Sequence, residues 1–130
     1  MTYILAGLMA SLSFLLNRFA LRYFGVNAII TYGPVLEESL KSLPAYFLGA
    51  NIFLIHAIFG CCEGLYDFFS GRNRVLAAIA SICGHSAFGA VTVTVLLASD
   101  NLEAGIAAAI LVHVAWNIVA VIISKRKGNI

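Results

Sequence analysis

Three stretches of this chain, residues 52–69, 75–98 and 104–123, are apolar almost without interruption. Each is close to the ~20 residues that carry a helix across the hydrocarbon of a bilayer. In that medium a backbone must satisfy its own hydrogen bonds, which admits helices and closed barrels only. The short alternating segments of a barrel are missing. Two further runs fit less cleanly. Residues 2–20 are interrupted at Arg18, which must snorkel toward the interface. Residues 29–50 hold Gly33-Pro34 near their start, two carboxylates and a lysine in "EESLK", and Pro44, which should kink the helix.

Composition agrees with the spans. Of 130 residues, 62% are hydrophobic and 11% charged, whereas soluble domains carry about 25% charged residues. Too few polar groups exist to cover a globule. The expected class is an all-α integral membrane protein, a compact bundle of about five transmembrane helices forming a single domain, 1–130. A net charge of +2 gives no reason to expect nucleic acid. Cys61, Cys62 and Cys83 lie in apolar runs without metal-binding spacing and read as small core residues.

Basic residues set the expected topology. Arg18 and Arg22 follow the first run, Arg72 and Arg74 the third, and Lys125, Arg126 and Lys127 the fifth. The intervening connections hold Asn51, or Asp100, Asn101 and Glu103, with no Lys or Arg. Five spans with this alternation put the N-terminus outside and the C-terminus in the cytoplasm. The first run lacks a basic leader, so it reads as a retained span rather than a signal peptide.

Counted inward at 1.5 Å per residue, Glu63 lies roughly 10 Å from the cytoplasmic edge, and His85 and His113 roughly 15 Å. Glu37 and Glu38 sit several residues into the second run, and Asn117 one turn below His113. Ionisable groups within a membrane are costly and usually face a bundle interior or a cavity. Several at similar depth imply one shared, hydrated pocket. His56 falls about two turns outward of Glu63 and reads as structural or as part of an outer vestibule. Asp67 reads as a wet interfacial residue.

Within "EESLK", Glu37 and Glu38 are four and three residues from Lys41, so both can reach its ammonium. One carboxylate can stay ionised through that pair, and the other can take a proton from water. Acids after Gly-Pro would also complement the helix dipole. In "FGCCE", Phe59 and Glu63 share a face, and Gly60 and Gly64 form a GxxxG packing seam. In "GHSAFG", small residues around His85 leave room for a ligand or a peptide backbone. In "HVAWN", His113 and Asn117 are one turn apart, flanked by Trp116, and could present donors to an oxyanion. The plainer alternatives are a bond from His85 to a carbonyl and a polar helix-helix clasp made by His113 and Asn117.

Taken in order, EESLK, FGCCE, GHSAFG and HVAWN resemble the EExxK, FxxxE, GHxxFG and HxxWN motifs of the PrsW family of glutamic-type intramembrane proteases. That family is related to the CAAX-processing and bacteriocin-immunity membrane proteases. The match runs from Glu37 to Asn117, with the core motifs within 33–117. Two departures stand out: Gly64 where the family typically has Asn, and fewer spans than most members.

The resemblance implies that Glu37 or Glu38 activates a water against a peptide bond of a membrane-anchored protein. His85 or His113 would hold the water or protonate the amine, with His113 and Asn117 at the oxyanion. Glu63 would orient a histidine, and Lys41 would keep one glutamate charged. No cofactor is implied, and the prokaryotic cytoplasmic membrane is the expected location. Several competing readings remain. Zinc on Glu63, His85 and His113 would make a metalloprotease, although no HExxH is present. Two histidines could ligate haem, or the cluster could relay protons or cations. An inactive relative could bind partner helices, or its own copies, through Gly60/Gly64 and Ala104/Ala108.

Overall fold

The computed structural model describes residues 1–70 and 74–126. Five helices follow one another: α1 Thr2–Phe24, α2 Gly33–Phe47, α3 Ile52–Ser70, α4 Arg74–Ser99 and α5 Leu102–Arg126. A π-helical turn, Ala28–Tyr32, leads into α2. No strand occurs among the described residues. Among the described residues, four helices, α1, α3, α4 and α5, are long and apolar enough to cross a membrane.

The exception is α2. Its 15 residues span ~22 Å, against a hydrocarbon thickness of ~30 Å. Pro34 opens it, where a missing N–H costs nothing. Pro44 lies in its last turn, and the helix ends three residues later at Phe47. Its amphipathicity is inverted relative to a helix on a soluble protein. Glu37, Glu38, Lys41, Ser42 and Ala45 are buried, while Val35, Leu43 and Phe47 are exposed.

Although short, α2 joins opposite ends of the bundle. Leu5 and Ala6 at the start of α1 cluster with Ala45 at the end of α2 and with Ile52 and Ile55 at the start of α3. Further along, Phe14 meets Tyr66 edge to face at 5.1 Å, so α1 and α3 run parallel. The chain therefore passes between the two ends five times. Arg18, Arg22, Arg74, Lys125 and Arg126 gather at one of them; Arg72 and Lys127 lie outside the described residues. The other end is closed by the Leu5–Ile55 cluster, against which Met9, Ile58, Val93, Leu96 and Leu102 pack.

Close approach of α3 to α4 depends on glycine. A Cβ on Gly60 would stand 3.0 Å from the Ser81 carbonyl, and one on Gly64 2.9 Å from that of Ala78. The GxxxG seam is thus used inside the molecule and is not a free surface for another copy. The cysteines also differ from expectation. Cys61, Cys62 and Cys83 are exposed on the bundle perimeter, because the buried faces of α3 and α4 are taken by glycine, histidine and phenylalanine.

Candidate active site

At the centre lies Lys41, fully buried. Its Nζ is 2.6 Å from Glu38 Oε1, 3.0 Å from His85 Nδ1 and 3.8 Å from Glu37 Oε2, and it stands 4.4 Å above the Phe59 ring. An ammonium has only donors to offer, so His85 accepts at Nδ1 and carries its own proton on Nε2. That N–H meets the Glu63 carboxylate. Glu38 Oε1 also accepts from His113 Nδ1 at 2.9 Å. An isolated buried ion costs several kcal/mol, and this site offsets the cost by giving each charge an opposite or polar partner.

Glu37 is held differently. Asn17 of α1 donates Nδ2–H to its Oε1 at 2.5 Å. Its Oε2 is buried with no hydrogen-bond partner among the described residues, 3.9 Å from His85 Nε2. Gly33 eases the packing of the preceding turn: a Cβ there would lie 3.1 Å from the Ala28 carbonyl, and at an ordinary contact distance of 3.5 Å from Asn17 Oδ1. Glu37, Glu38, His85 and His113 each bring one ligand-capable atom into a group within 4.8 Å of one another. Two imidazoles and two carboxylates could hold a divalent cation, but the Lys41 ammonium already sits between Glu38 and His85. Of the acids and imidazoles in this cluster, Glu63 is the outermost, its side chain 40% exposed beside a His85 that is 3% exposed. It marks the open side of the site.

The aromatic and small residues of the motifs shape this pocket. Phe88 stacks on the His113 ring at 4.3 Å, and His85 meets His113 edge to face at 5.3 Å. Trp116 lies over Gly84, whose Cβ would come within 3.2 Å of the indole. The space beside Gly89 is filled by His56, which a Cβ would meet at 2.6 Å. The small residues around His85 therefore admit neighbouring rings rather than leaving an open slot.

Two expected placements change. Asn117 does not join the cluster; its Nδ2–H donates to the Ile29 carbonyl at 2.8 Å. One turn below His113, α5 runs beside the π-helical turn, and the amide answers a carbonyl there. His56, set apart by depth counting, belongs to the cluster. Its Nδ1 lies 3.5 Å from Glu38 Oε2, and its Nε2 is 3.1 Å from Ser42 Oγ. Glu38 and Ser42 are one turn apart on α2, so the polar stripe continues outward to meet it. Asp67 accepts from Ser81 Oγ at 2.7 Å, one turn along α3 from Glu63.

Sequence reasoning passed over Asn17 and Ser42, and placed His56 outside the site. Asn17 adjoins Arg18 near the end of the first apolar run. Its signal was an amide, with Ser13 one turn before it, on an otherwise apolar face; both are now seen to be polar groups turned inward. No family model, no curated protein and no solved structure matches the chain. The likeness to the PrsW family therefore stands on the four motifs alone.

Proposed function

We propose that the protein is a membrane-embedded peptidase of glutamic type, with Glu37 as the base that activates water. The observation that carries this reading is the contrast within the glutamate pair. Glu38 is engaged by Lys41 and His113, whereas Glu37 is fixed at one oxygen by Asn17 and keeps a buried oxygen free beside His85 and Lys41. A water at Glu37 Oε2 would give up a proton there as its oxygen attacks the scissile carbonyl. The C–N bond then breaks, and the amine leaves with the proton that Glu37 carries. The Lys41 ammonium, which keeps a third N–H beyond those on Glu38 and His85, faces the developing oxyanion, and His113, whose Nδ1–H is spent on Glu38, holds that glutamate in place. His85, held between Lys41 and Glu63, walls the water site beside Glu37 Oε2. With Asn117 bound to Ile29 and the His113 N–H spent on Glu38, the oxyanion role falls to Lys41.

The proposed substrate is a membrane-anchored protein entering from the side marked by Glu63. We place the basic end of the bundle in the cytoplasm, in a prokaryotic membrane, with all five helices crossing. The apolar plug at the other end favours a hydrolase over a proton or cation conduit, since the polar groups stop beneath it. The contact between the His85 and His113 rings leaves no gap for a porphyrin. Zinc is a second reading, favoured by the compact Glu37, Glu38, His85 and His113 group; Glu63 and His85 also touch, as the set of Glu63, His85 and His113 would require.

The test uses purified protein in vesicles with a panel of single-span reporter peptides. Cleavage by wild type, lost in Glu37→Gln and unaffected by chelators, is the expected result. Full cleavage by Glu37→Gln would end the assignment, and bound zinc with chelator-sensitive cleavage would transfer it to the metal reading.

A further inference from the structure

Deep in the bundle, away from the open side of the site, Ser42 Oγ, His56 and Glu38 Oε2 form a file. The Ser42 Oγ to His56 Nε2 distance is 3.1 Å, and His56 Nδ1 to Glu38 Oε2 is 3.5 Å. All three residues are completely buried. Glu38 Oε2 and His56 Nδ1 have no other hydrogen-bond partner among the described residues, yet they face each other just beyond hydrogen-bond length. Two unpaired buried polar atoms in that position gain from closing the gap by a few tenths of an ångström.

The order of groups is that of a serine-hydrolase triad, but Ser42 is sealed within α2 and no substrate can reach it. What the file can do is hold Glu38. A carboxylate can only accept, so Nδ1 carries the proton and the Ser42 hydroxyl donates to Nε2. Glu38 is then gripped at both oxygens, by His56 on one side and by Lys41 and His113 on the other. The groove for His56 is supplied by Gly89, where any side chain would collide with the ring.

We infer that His56, locked by Ser42 and seated against Gly89, is a positioning residue that fixes Glu38 and through it the Lys41 ammonium and the His113 ring. The inference rests on the peptidase reading for its consequence in catalysis, although the contact itself does not. Where such partners hold metal-ligating side chains, their loss commonly changes activity about 10–100-fold, which sets the scale expected for a residue that holds Glu38.

Two measurements separate the outcomes. In the reporter assay, His56→Phe, which keeps the ring shape, should lower kcat about 10-fold or more with KM little changed. His56→Asn, which restores a donor near the Nδ1 position, should recover most of the loss. Wild-type kcat in His56→Phe overturns the inference. Independently, nitrogen NMR of histidine-labelled protein should show His56 protonated at Nδ1 and bare at Nε2, with a changed Nδ1 resonance in Glu38→Gln. Protonation at Nε2 alone, or indifference to Glu38→Gln, overturns it as well. Should wild type cleave no reporter, the peptidase reading fails while the NMR result still decides the His56 contact.

Discussion

Two adjacent glutamates on one helical turn meet different surroundings because successive side chains point about 100° apart. Glu38 turns toward Lys41, His113 and His56, and Glu37 turns toward Asn17. Their amide variants should therefore separate. Glu38→Gln strips the charge that compensates a buried ammonium, a loss of the order of 3–5 kcal/mol when a buried pair is broken. It should show as a clear fall in thermal midpoint in detergent. Glu37→Gln leaves the Lys41–Glu38 pair intact. Its midpoint should stay near wild type while reporter cleavage falls ~100-fold or more, the usual scale for losing a general base. Equal stability and equal activity in the two variants would remove the distinction between anchor and base. Asn17→Leu should lower cleavage with Glu37 present, because Oε1 loses the donor that aims it.

At the scale of elements, the site depends on helices approaching closely enough for polar side chains to meet. Gly60 and Gly64 bring α3 onto α4, which sets Glu63 against His85. Gly89 admits His56 from α3, and Gly105 lets α5 approach α4, where a Cβ would come within 2.7 Å of the Thr92 carbonyl. Overpacking such a contact typically costs 1–3 kcal/mol. Gly105→Ala meets backbone that cannot rotate away, so it should lower thermal stability by about that amount. Unchanged stability would show that α5 sits further from α4. The π-helical turn before α2 has a comparable role: Asn117 caps its Ile29 carbonyl. Asn117→Leu should loosen the entry to α2 and raise hydrogen exchange across residues 28–33.

For the whole molecule, the decisive issue is whether α2 crosses the bilayer. It is too short and too charged to be recognised as a span by itself, yet it carries the chain from one end of the bundle to the other. Five crossings put the two termini on opposite sides; four put them on the same side. With reporter tags at each terminus, we expect the N-terminal tag to be accessible from outside and the C-terminal tag from the cytoplasm. Accessibility of both from one side would mean that α2 is buried within the bundle without crossing. The inverted α2 explains why the protein tolerates such a helix: its charges face protein, and its exposed face is Val35, Leu43 and Phe47.

How much could be read in advance differs between fold and site. The long apolar runs became α1, α3, α4 and α5 because length and hydropathy are local properties, legible residue by residue. The inward turn of Glu37, Glu38, Lys41, His85 and His113 was legible for a related reason: helices this apolar leave such groups few partners but one another. Registers between helices were not legible. Depth counted along one helix cannot say how far its neighbour is shifted, so His56 was placed outside a cluster it joins and Asn117 inside one it leaves. Neither could sequence show that α1 supplies Asn17, or that the cysteines face outward once glycine and histidine hold the inner faces. Hydrophobicity along the chain determined which segments are helical and which side chains must hide. Only the packing of α1 to α5 decided which of those hidden groups touch, because contact distances depend on helix register, and register is set by glycine and ring contacts between segments far apart in sequence.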